Sequence, residues 1–156
     1  MPDYDAIIST PVGLIGICTR DDAVTQIDLN LSPVAEKNAR SRVAAATVDF
    51  LHSYFETGRW SANTPVQLSG TVFQQRVWHS LLTIPAGDVL TYGQLAARLQ
   101  SSARAVGQAC RRNPTPIVVP CHRVVAASGL GGFSGATTGI MSDIKRRLLH
   151  HEGVDL

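Results

Sequence analysis

The sequence predicts an α+β protein in two parts, on three observations. The first third carries β-rich runs separated by turn residues and then changes to a helical pattern. The remainder is dominated by short helices with recognisable caps and stops. Charge divides along the same line: residues 1–70 hold five Lys/Arg against eight Asp/Glu, and residues 71–156 hold nine against four. On this reading residues 1–65 form an N-terminal sheet-and-helix lobe. Residues 66–156 form a mainly helical C-terminal domain, with the loop-rich stretch 60–70 at the boundary.

In chain order, residues 5–10 (DAIIST) and 13–19 (GLIGICT) read as strands flanking a turn at Pro11-Val12, and 23–29 (AVTQIDL) as a third. Ser32-Pro33 has the form of an N-cap followed by proline at the first helical position, which predicts a helix from Val34 through Val43, Val48, Leu51 and Phe55 to Gly58. Residues 71–82 place Val72, Val77, Leu81 and Leu82 in a buried helical stripe closed by Pro85 and Gly87. Thr91 caps a helix over TYGQLAARL, and Ser102 caps a second from Ala103 to about Arg112, stopped by Asn113-Pro114. Two short helices across a tight turn predict a helix-turn-helix. Ile117-Val118-Val119 then reads as a strand or extended segment, and RRLLHHEG as a final helix that includes Glu152.

The 156 residues suffice for a real core, and 44% apolar against 17% charged residues is the balance of a folded chain rather than a disordered one. No stretch approaches the roughly 20 apolar residues of a membrane span. The opening MPDYDAII has acids where a secretion signal needs a basic region. A soluble, cytoplasmic protein is expected. Three cysteines, Cys18, Cys110 and Cys121, show no C-x-x-C spacing, so buried or reactive thiols are expected rather than a disulfide framework. The histidines show no ligand spacing, and adjacent His150 and His151 on a helix point about 100° apart. Neither a metal nor a cofactor is expected.

Between Asp88 and Asp143 there is no acid, while Arg98, Arg104, Arg111, Arg112 and Arg123 all fall there. A solvated face mixes signs; a one-signed segment attracts a phosphate backbone. In the second helix Ala103, Ala105, Gly107 and Ala109 are small beside the long cation Arg104. Either the helix packs closely against its neighbours with Arg104 in solvent, or its backbone approaches a groove into which Arg104 reaches.

Cys121 sits between Pro120 and His122 at the end of an apolar run, with Arg123 following and no carboxylate nearby in sequence. Positive surroundings favour the thiolate, which is the reactive form. Adjacent residues of an extended segment point to opposite sides, so a direct Cys121–His122 hydrogen bond requires a bend or a bridging water. Glu152 could orient His122 if the last helix folds back on this segment.

Here the sequence resembles a known family, the O6-alkylguanine-DNA alkyltransferases or methylated-DNA–protein-cysteine methyltransferases. The likeness covers nearly all of residues 70–156 and is strongest in IPAGDVLTYGQLA, ARAVGQACRRNPTPIVVPCHRVV and KRRLLHHEG. It implies a ribonuclease-H-like N-terminal lobe and direct-reversal DNA repair, in which Cys121 accepts the alkyl group irreversibly and once only. It implies that His122 generates the thiolate through a bound water with Glu152 behind it, and that Asn113 is the hinge between the DNA-binding helices and the active-site segment. Arg104 would fill the stack left by a flipped base, with the second helix in the minor groove. Tyr92 would crowd the phosphate 3′ to the target, and Val124, Ser134 and Lys145 would line the base pocket. The implied partner is double-stranded DNA containing O6-alkylguanine, with O4-alkylthymine a further candidate, and the protein would be a monomer. Two departures stand out: Phe133 where relatives often carry tyrosine, and a longer stretch, GATTGIMSD, between Ser134 and Lys145. The rival classes are a binding module without an acceptor thiol, which an intact Cys121 motif opposes, and a cysteine hydrolase, which would turn over.

Overall fold

The computed structural model describes residues 2–58, 64–133 and 139–156. It is a mixed α/β structure whose chain divides into two compact units: residues up to Leu68 together with Pro114–Val118, and Ser69–Asn113 together with Val119–Leu156. Among the described residues no helix is long and apolar enough to cross a membrane.

In the first unit β1 (Ala6–Thr10), β2 (Gly13–Arg20) and β3 (Ala23–Asp28) form an antiparallel meander in the order β1-β2-β3. Ile15 and Ile17 of β2 are wholly buried, two residues apart and therefore on one face, with Ala6, Ile8 and Val24 also buried. Helix α1 (Arg42–Thr57) packs on this sheet through Val43, Ala44, Thr47, Leu51 and Tyr54, the spacing of one helical face. It ends at Gly58, as the sequence predicts, with the Gly58 N–H donating to Tyr54 O at 2.8 Å.

The predicted start of α1 is wrong by two turns. Ser41, not Ser32, is the cap, its Oγ accepting from Ala44 N at 3.1 Å. Lys37 pairs instead with the edge strand β1, exchanging two backbone hydrogen bonds of 3.0 Å with Ile7. Ser9 N also donates to Glu36 Oε1 at 2.9 Å. Sheet pairing has satisfied backbone groups that a helix would otherwise use, and this tertiary contact outweighs the local Ser-Pro signal.

In the second unit α2 (Val72–Leu81), α3 (Tyr92–Leu99) and α4 (Ala103–Arg111) begin at Thr71, Thr91 and Ser102, each of whose side chains accepts from the backbone N–H three residues on. The first two are full capping boxes with Gln74 and Gln94. Trp78 of α2 is buried and its Nε1 donates to Ala109 O of α4 at 2.9 Å. Arg76 Nη2 donates to Leu99 O at 3.1 Å, satisfying a carbonyl at the end of α3. The short strands β4 (Leu90–Thr91) and β5 (Val124–Val125) pair in parallel, Leu90 opposite Val124 and Thr91 opposite Val125. This pairing brings the start of α3 beside the segment that follows Cys121.

Two further expectations fail. Residues 117–119 are not a strand: Ile117 has φ +73°, a left-handed conformation rare for a β-branched residue, and the chain turns there. Glu152 is not within the last helix, α5 (Ile140–His151), but is the residue that ends it, with φ −85° and ψ 0°.

Candidate active site

Pro120 opens a single 3-10 turn, Cys121–Arg123, whose first residue donates back to Val119 O at 2.8 Å. The bend that the extended reading required is therefore present. Cys121, His122 and Arg123 are all buried, Cys121 at 6% exposure.

Glu152 joins the turn from the end of α5. Its Oε2 lies 2.7 Å from His122 Nε2, and Arg123 donates from Nε to Oε1 at 2.8 Å and from Nη2 to Oε2 at 3.1 Å. Arg123 Nη1 also donates to Ile84 O at 2.6 Å. Two guanidinium donors on its two oxygens fix Glu152 as a carboxylate, which can only accept. His122 Nε2 must then carry the proton. Burial lowers the pKa of His122, only partly opposed by Glu152, so the ring is neutral. Its Nδ1 consequently presents a lone pair, and it is buried with no hydrogen-bond partner among the described residues. A neutral imidazole held in this tautomer has a nitrogen able to accept a proton.

Asn113 donates from Nδ2 to Val119 O at 2.8 Å, and its side chain also hydrogen-bonds Cys121. Burial pushes the Cys121 thiol up, opposed by Asn113 and by the Lys145 charge. Lys145 is wholly buried on α5, and its Nζ donates to Val124 O at 2.7 Å and Gly132 O at 2.8 Å. The same Gly132 carbonyl accepts from Tyr92 Oη at 3.2 Å, and Lys145 Nζ lies 5.7 Å from the centroid of the Tyr92 ring. Gly131 has φ +76°, and a Cβ there would meet the Tyr92 ring and Ala126 N at 3.0 Å, so a side chain at this position is excluded twice over.

The structure thus brings together Cys121, His122, Glu152, Asn113, Tyr92, Val124 and Lys145. Arg104 is elsewhere, exposed on α4 on the side away from buried Val106 and Cys110, with Gln108 and Arg111 exposed on its face. Ser134 lies outside the described residues. Sequence reasoning missed two participants. Arg123 was read only as positive surroundings, yet it anchors Glu152. Cys110, expected only as a buried or reactive thiol, is buried, and a charge on its sulfur would act on Lys145 and Tyr92. Among the described residues no group of three or more His, Cys, Asp or Glu could hold a metal ion.

These relations put the protein in the class that keeps a buried cysteine next to a histidine–glutamate pair on a basic, helical unit. Residues 72–154 match the family model for the 6-O-methylguanine DNA methyltransferase DNA-binding domain. A methylated-DNA–protein-cysteine methyltransferase of Mycolicibacterium paratuberculosis is 38% identical over 82% of this chain and 82% of its own. One from Sulfolobus acidocaldarius is 34% identical over 96% and 93%. The chain belongs to the methylated-DNA–protein-cysteine methyltransferase family. Among solved structures, the Mycobacterium tuberculosis O6-methylguanine methyltransferase superposes with a TM-score of 0.76 at 34% identity, over 94% of this chain and 90% of that one. A structure of the M. tuberculosis protein in complex with DNA gives 0.76 at 35%, over 94% and 91%.

Proposed function

We propose that this protein repairs O6-alkylguanine in duplex DNA by moving the alkyl group irreversibly to Cys121. The observation that carries the reading is the buried Cys121 beside His122, whose Nε2 is tied to Glu152 and whose Nδ1 is left as a base. His122 takes the thiol proton through a water, the sulfur attacks the alkyl carbon, and the carbon–O6 bond breaks. The electron pair returns to guanine, which takes up a proton. A thioether has no easy hydrolysis route, so each molecule acts once. The alkyl carbon is inaccessible inside a duplex, so the base must leave the stack at a cost of a few kcal/mol.

In this reading α3 and α4 are a helix-turn-helix, with α4 in the minor groove and Arg104 filling the vacated stack. Small residues at 103, 105, 107 and 109 suit that approach. Tyr92 crowds the 3′ phosphate. Val124, Ser134 and Lys145 line the base pocket, and Asn113 links the helices to the acceptor segment. Residues 1–65 are a ribonuclease-H-like lobe and 66–156 the DNA-binding and acceptor domain of a cytoplasmic monomer, with O4-alkylthymine a second substrate.

The deciding experiment is intact mass and peptide mapping after incubation with duplex carrying O6-methylguanine. One methyl group per molecule on Cys121 supports the reading. Methyl on Cys18 or Cys110, or methyl released with turnover, overturns it.

A further inference from the structure

We propose that Lys145 is the counter-charge of the Cys121 thiolate, so that the buried site is electrically complete only when Cys121 is ionised. The inference rests on Cys121 being the acceptor and adds to that reading the group that compensates its charge.

The buried charges around Cys121 do not balance while its thiol is neutral. Arg123 and Glu152 are fully buried and neutralise one another through two hydrogen bonds. His122 is neutral, because burial disfavours its charged form more than Glu152 favours it. The cluster behind Cys121 therefore offers the sulfur no net positive charge. Lys145 differs. It is wholly buried, its two acceptors are the backbone carbonyls of Val124 and Gly132, and among the described residues it forms no ion pair with a carboxylate. An ammonium taken out of water costs several kcal/mol unless it is paired. The acidic groups coupled to it are the thiols of Cys121 and Cys110.

Ionisable groups face Cys121 from its own turn and from α3, α4 and α5. Its own turn carries His122 and Arg123, and α5 carries Lys145, with Glu152 ending it. Helix α3 presents Tyr92, whose hydroxyl burial pushes up, and α4 presents Cys110, whose thiol burial also pushes up. Arg76 and His79 of α2 are exposed. Of the two thiols, Cys121 alone has a hydrogen-bonding amide, Asn113, among the influences that favour its thiolate. When the Cys121 S–H bond breaks, the proton leaves by way of His122 and Lys145 stays an ammonium, bringing the site from one net positive charge to none. Burial lowers the Lys145 pKa and the Cys121 and Cys110 sulfurs raise it, to a net value of about 8.

The test is the pH dependence of Cys121 alkylation by iodoacetamide, followed by peptide mass, in the whole protein and in Lys145→Met. A shift of one unit is a factor of ten, so the variant's midpoint should rise by about one unit or more and its rate near neutral pH fall about tenfold. Lys145→Arg, which keeps the charge, should lie nearer the parent than Lys145→Met. Superimposable profiles for the parent and Lys145→Met overturn the proposal. A measurement on the unmutated protein guards against misfolding: the Lys145 side chain is titrated by NMR before and after carbamidomethylation of Cys121. Its pKa should fall once the sulfur can no longer ionise, and an unchanged value overturns the proposal. Failure here is distinct from failure of the functional reading. A Cys121 that titrates as described yet takes nothing from duplex overturns only the latter.

Discussion

Arg123 and Glu152, 29 residues apart in sequence, form a fully buried pair whose guanidinium grips both carboxylate oxygens. The grip aims Glu152 Oε2 at His122 Nε2, so the guanidinium acts on the imidazole tautomer through the carboxylate. Arg123 is a positioning residue in this sense, two places from the sulfur it serves.

Removing one partner of a buried ion pair leaves an uncompensated charge and typically costs about 3–5 kcal/mol. Arg123→Met should therefore destabilise the protein by about that much in urea unfolding. The double variant Arg123→Met with Glu152→Leu should recover much of the loss, because apolar side chains of similar size replace both charges. Alkyl transfer should stay slow in the double variant, since His122 has lost the acceptor that fixes its tautomer. Recovery of both stability and transfer would show that the pair serves the fold alone.

Arg104→Ala should slow repair of duplex O6-methylguanine while leaving reaction with free O6-benzylguanine nearly unchanged. Only the duplex requires a base to leave the stack, and Arg104 is exposed on α4 rather than in the Cys121 cluster. Equal losses on the two substrates, measured as second-order rate constants, would assign Arg104 to the fold instead.

The caps of α2, α3 and α4 were legible because a cap is local: Thr71, Thr91 and Ser102 each bond an N–H three residues away. The start of α1 was not, because the pairing of Lys37 with Ile7 spans a stretch that local propensity reads as helix. Ile117-Val118-Val119 reads as strand from its β-branched side chains, and nothing in those letters announces the positive φ at Ile117. The motif around Cys121 named most of the cluster. Arg123 escaped because its partner lies on another element. One clue was available: Glu152 is among only two acids that follow Asp143.

In the first unit, Asp5 offers an acid-range test. Burial would push its carboxyl up, but hydrogen bonds from Thr19 N at 2.7 Å, Thr19 Oγ1 at 3.0 Å and Arg40 Nη2 at 2.9 Å hold it below the usual carboxylate range. A pKa lowered by folding contributes stability above the unfolded value and loses it as pH falls through the folded one. Asp5→Asn should therefore be less stable than the parent near neutral pH and converge with it as acid takes the pH down through the lowered pKa of the folded carboxyl. Parallel unfolding curves across that range would show that Asp5 contributes nothing through its charge.

Alkylation of Cys121 should destabilise the protein, and the loss should depend on pH through Lys145. Cys121 is 6% exposed, so an added methyl group enlarges a buried side chain, and overpacking of a buried site typically costs about 1–3 kcal/mol. A thioether cannot ionise, so Lys145 keeps its buried charge without compensation. With the Cys121 thiol in place its folded pKa is about 8, already below the 10.5 of the free side chain, and capping the sulfur lowers the folded value further. Between the folded and free values the unfolded chain binds the extra proton, so stability rises with pH across that window, and the penalty is fully present below it. The methylated protein should melt below the unmodified one, and the benzylated protein lower still. The part of the deficit due to charge should appear as a difference between methylated parent and methylated Lys145→Met that is fully present below the folded Lys145 pKa and shrinks as pH rises from there towards 10.5. Thermal unfolding of the four species at several pH values checks both parts. A methylated protein that melts at or above the unmodified one rules out overpacking, and a pH-independent difference between methylated parent and methylated Lys145→Met rules out the charge contribution.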